Sequence, residues 1–486
     1  MSVAQLIVGI ICLNLVFVLV GYSALMAFLR GLPAATWVTF AGVALLVGAG
    51  LVGIVLSGLA VAGSATSLPV FGAVTLALAG LGVGIRASAS RASIRFQAPA
   101  ARTVSVIESW VAAVAAGGAV AVCCLVVVAA FRASPWLDDA WTFWLPKGVE
   151  LSRSGLDQRV FLPHTDFVSF ANPHYPLWWS IVGGLDVAVV GRIDVRALDA
   201  QLAVLYIAFA SAVGRLLWGL VRPAILLPAI LLAVAAPELV AQTESGGADL
   251  PLAFYVALAV IAAAWWLQRG ELLFLALTFV FAGTALNTKD EATGLFVVLL
   301  LVGGPFAWAQ SSRRFAALVG AAAAAFATLA PWLVWASLHD VSSEAVGADA
   351  FDPAHLWEQR ARLGPAAHAV THQVLQPRGW FLAVPLLVVT SIALAIRERR
   401  VAWLAPPAMV AAGSALFVWI YWAGSFDLTY WLDTSVYRVV DSVVVAAAVA
   451  LPVVAERFWQ AVSGELAHGR IVERVREQAP SAEERR

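Results

Sequence analysis

The chain has 486 residues, 62% of them hydrophobic and only 12% charged, and its 30 basic and 30 acidic residues cancel. A soluble domain is nearer a quarter charged, so this composition excludes a soluble globular protein, and the balanced charge argues against a nucleic-acid partner. What remains is an all-α polytopic membrane protein, with membrane lipid as a necessary partner.

In chain order, about thirteen transmembrane helices are expected, each of roughly 17–28 residues and so long enough to cross the hydrocarbon. Their extents are 3–29, 36–62, 67–85, 105–131, 196–220, 223–241, 250–268, 271–287, 292–310, 315–338, 379–396, 401–423 and 436–455. The first is too long for a signal-peptide core and lacks a basic start, so it reads as a retained helix. Cys12, Cys123 and Cys124 fall in apolar stretches without metal-ligand spacing and read as small apolar residues.

Basic loops of membrane proteins favour the cytoplasmic side. If the loop holding Asp138 and Asp139 is outside, one alternation puts Arg30, Arg86, Arg215, Arg222, Arg269, Arg313, Arg314, Arg397, Arg399 and Arg400 inside. The N-terminus is then outside and the C-terminus cytoplasmic. Two outer loops are long, 132–195 and 339–378. The first holds two helical stretches, 139–154 and 176–191, expected to lie along the interface. The chain divides into extra N-terminal membrane helices (1–104), a transmembrane module (105–455) and a charged cytoplasmic tail (456–486).

The outer side gathers the chemistry. Ser134 to Lys147 reads SPWLDDAWTFWLPK, with adjacent carboxylates at Asp138 and Asp139 among Trp136, Trp141 and Trp144. On a helix, Asp139, Phe143 and Lys147 would share a face. Amphipathic aromatic rings favour the membrane–water interface, so the acid pair sits at headgroup level. The plainer reading is an interfacial loop with its aspartates in water. Further along come His164, His174, Tyr175, Glu238, Gln242, Glu244, Asp249, Lys289, Asp290, Glu291, Asp427, Asp433, Tyr437 and Arg438. Ionisable groups near span ends are costly unless paired or wet, and are functional candidates; the plainer reading is that they snorkel to the surface. Lys147 and Lys289, the only lysines in the chain, both fall on this side. With Arg438 they could grip a phosphate beside a carboxylate base. A carboxylate can deprotonate a sugar hydroxyl while cations hold a departing lipid phosphate. Asp138, Asp139 and His164 or His174 offer ligands for a divalent metal, which this chemistry does not require.

These stretches resemble a family. Asp139-Ala-Trp-Thr-Phe-Trp-Leu-Pro-Lys147 is similar to the first outer loop of bacterial GT-C-fold glycosyltransferases, relatives of the dolichyl-phosphate-mannose–protein mannosyltransferases. Asn172-Pro-His-Tyr-Pro-Leu177, Gly247-Ala-Asp-Leu-Pro-Leu252, Thr288-Lys-Asp-Glu291 and Thr434-Ser-Val-Tyr-Arg438 follow in the family's order. The resemblance covers most of residues 132–440. It implies a GT-C-like fold and transfer from a polyprenyl-phosphate sugar donor without a required cofactor. It implies Asp139 as catalytic base with Asp138 as second choice, and Lys147, Lys289 and Arg438 on the donor phosphate. Trp144, His174, Tyr175, Glu244, Asp249, Asp290, Glu291 and Tyr437 would line the substrate pocket. Asp290 stands where a neutral amide is expected, and the first three helices are additional to the usual pattern.

The expectation is an inverting glycosyltransferase on the outer face of a bacterial plasma membrane, acting on a glycan, lipid or protein hydroxyl. The alternative is a transporter or flippase for a lipid-linked sugar, which calls for charges at mid-membrane and broken spans with repeat symmetry. A catalytically inactive scaffold that binds polyprenyl phosphate is a second rival.

Overall fold

The computed structural model describes residues 3–30, 33–88, 94–95, 105–156, 173–341 and 346–477. Among these, ten helices are long and apolar enough to cross a membrane, or eleven if a bent pair counts as one span. They open with α1 (Val3–Met26), α2 (Ala41–Val61), α3 (Leu68–Ser88) and α4 (Val106–Ala130). A short helix, α5 (Leu145–Ser154), and the buried α6 (Trp178–Val190) lead to α7 (Arg196–Leu217), α8 (Pro223–Val234) and α9 (Pro237–Gln242). Next come α10 (Asp249–Arg269), α11 (Leu272–Leu286), α12 (Glu291–Gln310) and α13 (Ser312–Leu338). The chain ends with α14 (Arg360–Leu375), α15 (Ala383–Glu398), α16 (Ala405–Ala423), α17 (Leu428–Val439) and α18 (Asp441–Glu477). This is an all-α, multi-pass membrane architecture. Among the described residues, two two-residue strands pair in parallel, β1 (Leu29–Arg30) and β2 (Ile94–Arg95).

All thirteen expected stretches are helical, but three give helices of fewer than 18 residues. α8 and α11 have 12 and 15 residues, about 18 and 22 Å at the usual rise against a hydrocarbon core of roughly 30 Å. α8 stops because Pro237 disfavours helical backbone at Ala236, whose ψ is 121°. α15 meets the Arg360–Trp380 segment at a 100° bend. Phe381 and Leu382 make that corner with φ of 46° and 61°, a left-handed conformation that costs non-glycine residues about 1–3 kcal/mol each. α14 packs across α16 and α17 instead of spanning.

Lipid supplies no hydrophobic drive between helices, so close backbone approach and hydrogen bonds hold the bundle together. α2 illustrates this. A Cβ at its Gly42, Gly48, Gly50 or Gly53 would stand 1.8–2.5 Å from α7, α1, α11 or Trp178 respectively. Each absent methyl lets a different neighbour in. Two α2 carbonyls also accept side-chain bonds from the core, Ala49 from Trp178 Nε1 (3.1 Å) and Leu46 from the Tyr255 hydroxyl (3.0 Å). The helices before residue 104 therefore share the core with those after it, and the expected division there is not a break in packing.

The 176–191 stretch was expected at the interface. Instead Trp178 to Val187 are all buried, packed against α1, α2, α5 and α7. α6 is mostly apolar, and its two polar side chains, Ser180 and Asp186, are buried with the rest, so it gives no polar side to water. Gly148 of α5 and Gly184 of α6 meet backbone to backbone: a Cβ on either would lie 2.2–2.3 Å from a carbonyl oxygen of the other helix.

α10 is the most buried span, 83% of its apolar window against 17% for α3. It begins at Asp249 and ends at Arg269, so the two ends stand about 30 Å apart. Arg314 lies at the Arg269 end, where it donates to the Leu267 carbonyl. There Arg222 holds Glu456 (2.9 Å) and Glu108 (3.2 Å), tying α4 and α18 to the start of α8.

Candidate functional site

At the Asp249 end of α10, five ionisable side chains from four chain segments form one ion chain. Asp139 meets Arg438 at 2.5 Å, and the same Arg438 nitrogen lies 3.4 Å from Asp249. Asp249 meets Lys289 at 2.7 Å, and Lys289 meets Glu291 at 3.1 Å. Local structure explains the meeting. Asp249 opens α10, Lys289 and Glu291 sit in the tight link between α11 and α12, and Arg438 is in the last turn of α17. Asp139 precedes a single π-helical turn, Ala140–Trp144, that runs into α5. Such wide turns tend to occur at functional sites.

Three carboxylates here face two cations. Burial alone would discharge Lys289, but Asp249 and Glu291 outweigh it and hold its pKa well above the ordinary lysine value. Asp139 is the most accessible acid of the chain, with 26% of its side chain exposed against 3% for Asp249. Arg438 engages both acids through one terminal nitrogen, and its buried Nε has no hydrogen-bond partner. An idle guanidinium N–H beside a partly open carboxylate suits an oxyanion ligand.

The adjacent aspartates are not equivalent. Asp138 is exposed and outside the ion chain, while its carbonyl accepts a bond from the Thr142 hydroxyl. Lys147, expected on a phosphate, is fully buried instead. Its Nζ donates to the carbonyls of Tyr175 (2.6 Å) and Pro173 (3.1 Å) and lies 4.9 Å from the Trp332 ring. The π turn rotates it off the Asp139 face and under the 173–175 turn. Burial, opposed by Asp290, pushes its pKa down to about 7.

That turn positions two expected pocket residues. Tyr175 stacks on Trp144 and Phe143 and places its ring 5.2 Å from Lys289. His174 Nε2 lies 3.5 Å from Asp290, and its Nδ1 is buried without a partner. Burial, then Lys147 and Lys289, lower His174 to about 4, so it is neutral at pH 7. Burial and then Glu291 raise Asp290 to about 7. Tyr437 stacks on Trp136 at the rim. Glu244 sits beyond them, its carbonyl accepting from the Trp136 N–H. His164 and Asn172 lie outside the described residues. Among the described residues, no three His, Cys, Asp or Glu side chains converge as metal ligands.

Asp441 was missed. It is fully buried, and neither carboxylate oxygen has a hydrogen-bond partner. The signal was present: an acid inside the apolar run Val439 to Val445, within an expected span.

An apolar groove of about 370 Å³ lies between α10, α12, α16 and α18, and on α10 it runs from Val256 to Gln268. It starts at Ser442 and Leu295, a residue or a turn from Asp441 and Glu291, and ends at Gln268, Gln310 and Trp403. Its volume is within the range of small-ligand sites. Comparison with family models, curated proteins and solved structures finds no match for this chain.

Proposed function

We propose that the chain is an inverting glycosyltransferase that takes a sugar from a polyprenyl-phosphate donor and passes it to a hydroxyl of a cell-envelope glycan, lipid or protein. The carrying observation is the ion chain at one end of α10, with the 370 Å³ apolar groove beginning about two turns along that helix at Val256. A prenyl chain fits the groove, and its phosphate meets Lys289 and the idle Nε of Arg438. The resemblance of the Asp139, Lys289 and Arg438 stretches to GT-C glycosyltransferases points the same way.

In this reading the incoming phosphate competes with Asp139 for Arg438 and frees that carboxylate as a base. The acceptor oxygen attacks the anomeric carbon, the carbon–phosphate-oxygen bond breaks, and the hydroxyl proton goes to Asp139. Lys289 and Arg438 stabilise the departing phosphate, as preorganised cations do where charge develops. Positive loops favour the cytoplasm, so the site faces outward and the C-terminus inward, in a bacterial plasma membrane.

One observation favours the transporter: the 100° break at Phe381–Leu382. Against it, the ion chain lies at one helix end. The test uses purified protein in lipid nanodiscs and a panel of radiolabelled polyprenyl-phosphate sugars. Asp139→Asn should slow sugar release by about 10²–10⁴, the usual worth of a general base, while still binding polyprenyl phosphate. Undiminished turnover removes Asp139 from the mechanism. No turnover, with a fluorescent lipid-linked sugar crossing vesicles that contain the protein, would install the transporter.

A further inference from the structure

A second apolar groove, of about 340 Å³, lies between α8, α15 and α18. α18 separates it from the first. Val443, Ala446, Ala450 and Val453 line the first groove, and Val445, Ala448, Pro452 and Ala455 line the second. At 100° per residue these are two different stripes of one helix. Asp441 is one turn above Val445 and continues the second stripe.

The two mouths differ in charge. The first begins at Leu295 and Ser442, a turn from Glu291 and four residues from Arg438. The second rises past Leu239 and Trp380, where Glu238 accepts a bond from Gln376 Nε2 (3.1 Å). Asp441 stands over the same stripe, buried and with both oxygens unpartnered. Among the described residues no cation lines this groove, so a phosphate gains no counter-charge in it, whereas an unpartnered carboxyl oxygen suits the hydroxyl of an uncharged headgroup. From that mouth the polar path continues through Tyr437, coupled to both Glu238 and Asp139.

We propose that the second groove seats the hydrocarbon chain of the acceptor, so that the acceptor is a membrane lipid with an uncharged, hydroxyl-bearing headgroup. This rests on the transferase reading and narrows its acceptor from three classes to one. Donor and acceptor lipids then flank α18, with Asp441 holding the acceptor's hydroxyl face and Asp139 taking its proton.

The test uses the full chain in phosphatidylcholine nanodiscs with three photoactivatable probes: a diacylglycerol, its methyl ether and a polyprenyl phosphate. The diacylglycerol should label Leu232 and Leu386 of the second groove. Its methyl ether, which cannot donate, should label them about tenfold less, about the worth of one hydrogen bond. Asp441→Leu should erase that preference, and Ala383→Trp, which narrows the groove, should lower labelling by both lipids. Equal labelling by the alcohol and the ether in the wild-type protein overturns the proposal and marks ordinary boundary lipid. That comparison needs no variant to fold. Polyprenyl phosphate should label the first groove at Met409 and Val443. Its failure there overturns the transferase reading itself, whereas success there without hydroxyl preference in the second groove sinks only the lipid acceptor.

Discussion

Arg438→Gln separates what Arg438 does for the fold from what it does for a ligand. Removing one partner of a buried ion pair usually costs about 3–5 kcal/mol. Here the loss is cushioned, because Asp249 keeps Lys289 at 2.7 Å and Asp139 is 26% exposed. A destabilisation of about 2–3 kcal/mol is expected, below that range because neither acid is left both buried and unpaired. The ligand effect comes from the idle Nε and the lost charge. One charge-assisted hydrogen bond is worth about 1.5–3 kcal/mol, so polyprenyl phosphate should bind about 10–100-fold more weakly. Arg438→Lys keeps the charge, and one ammonium can reach both acids as the single Arg438 nitrogen does, so its fold should hold while its affinity falls between the two. The assay is titration by native mass spectrometry with polyprenyl phosphate and, in parallel, the uncharged polyprenol. Polyprenol binding should be the same in all three proteins. If folded Arg438→Gln binds polyprenyl phosphate within about twofold of wild type, a difference under about 0.5 kcal/mol, Arg438 is not a phosphate ligand and the proposed chemistry loses its cation.

Lys147→Met should lower the thermal unfolding midpoint, because two buried carbonyls lose their donor at about 1–3 kcal/mol each. Polyprenyl phosphate affinity of the folded variant should not change; a loss there would return Lys147 to the phosphate site. Gly148→Ala and Gly184→Ala should each destabilise by about 1–3 kcal/mol through overpacking at the α5–α6 contact. Gly117→Ala, with nothing within 4 Å, should be neutral or slightly stabilising, and equal melting of all three would show that α5 and α6 do not touch there. Asp290 has a folded pKa raised from 3.8 to about 7. Its contribution to stability is therefore complete below pH 3.8 and lost as pH rises through 7. Its side chain is 43% exposed, so solvent screening limits the swing to about 1 kcal/mol. Asp290→Asn should flatten that part of the stability–pH curve, and an unchanged curve would assign the slope to another group.

The membrane character and the thirteen helical stretches were legible because apolar length is a local property of the chain. The grouping of Asp139, Asp249, Lys289, Glu291 and Arg438 was legible for a related reason. A charge in an apolar chain is tolerated mainly at a span end, and alternation of spans sends alternate ends to one side. Sequence stopped where the answer depended on which side of a helix faces what. Asp138 and Asp139 are chemically identical neighbours, and only the π turn and the position of α17 bring Asp139 to Arg438. The same turn carries Lys147 under the 173–175 backbone, where sequence had put it on a phosphate. α6 looked interfacial because apolar aromatic residues suit both an interface and a packed interior, and its contact with Gly148 comes from far along the chain. The two grooves are spaces between helices distant in sequence, so no run of residues encodes either one. Composition determines that this chain enters a membrane and puts its charges at the span ends; which charges touch, and what they stand above, is decided by packing, because those contacts join segments up to 299 residues apart.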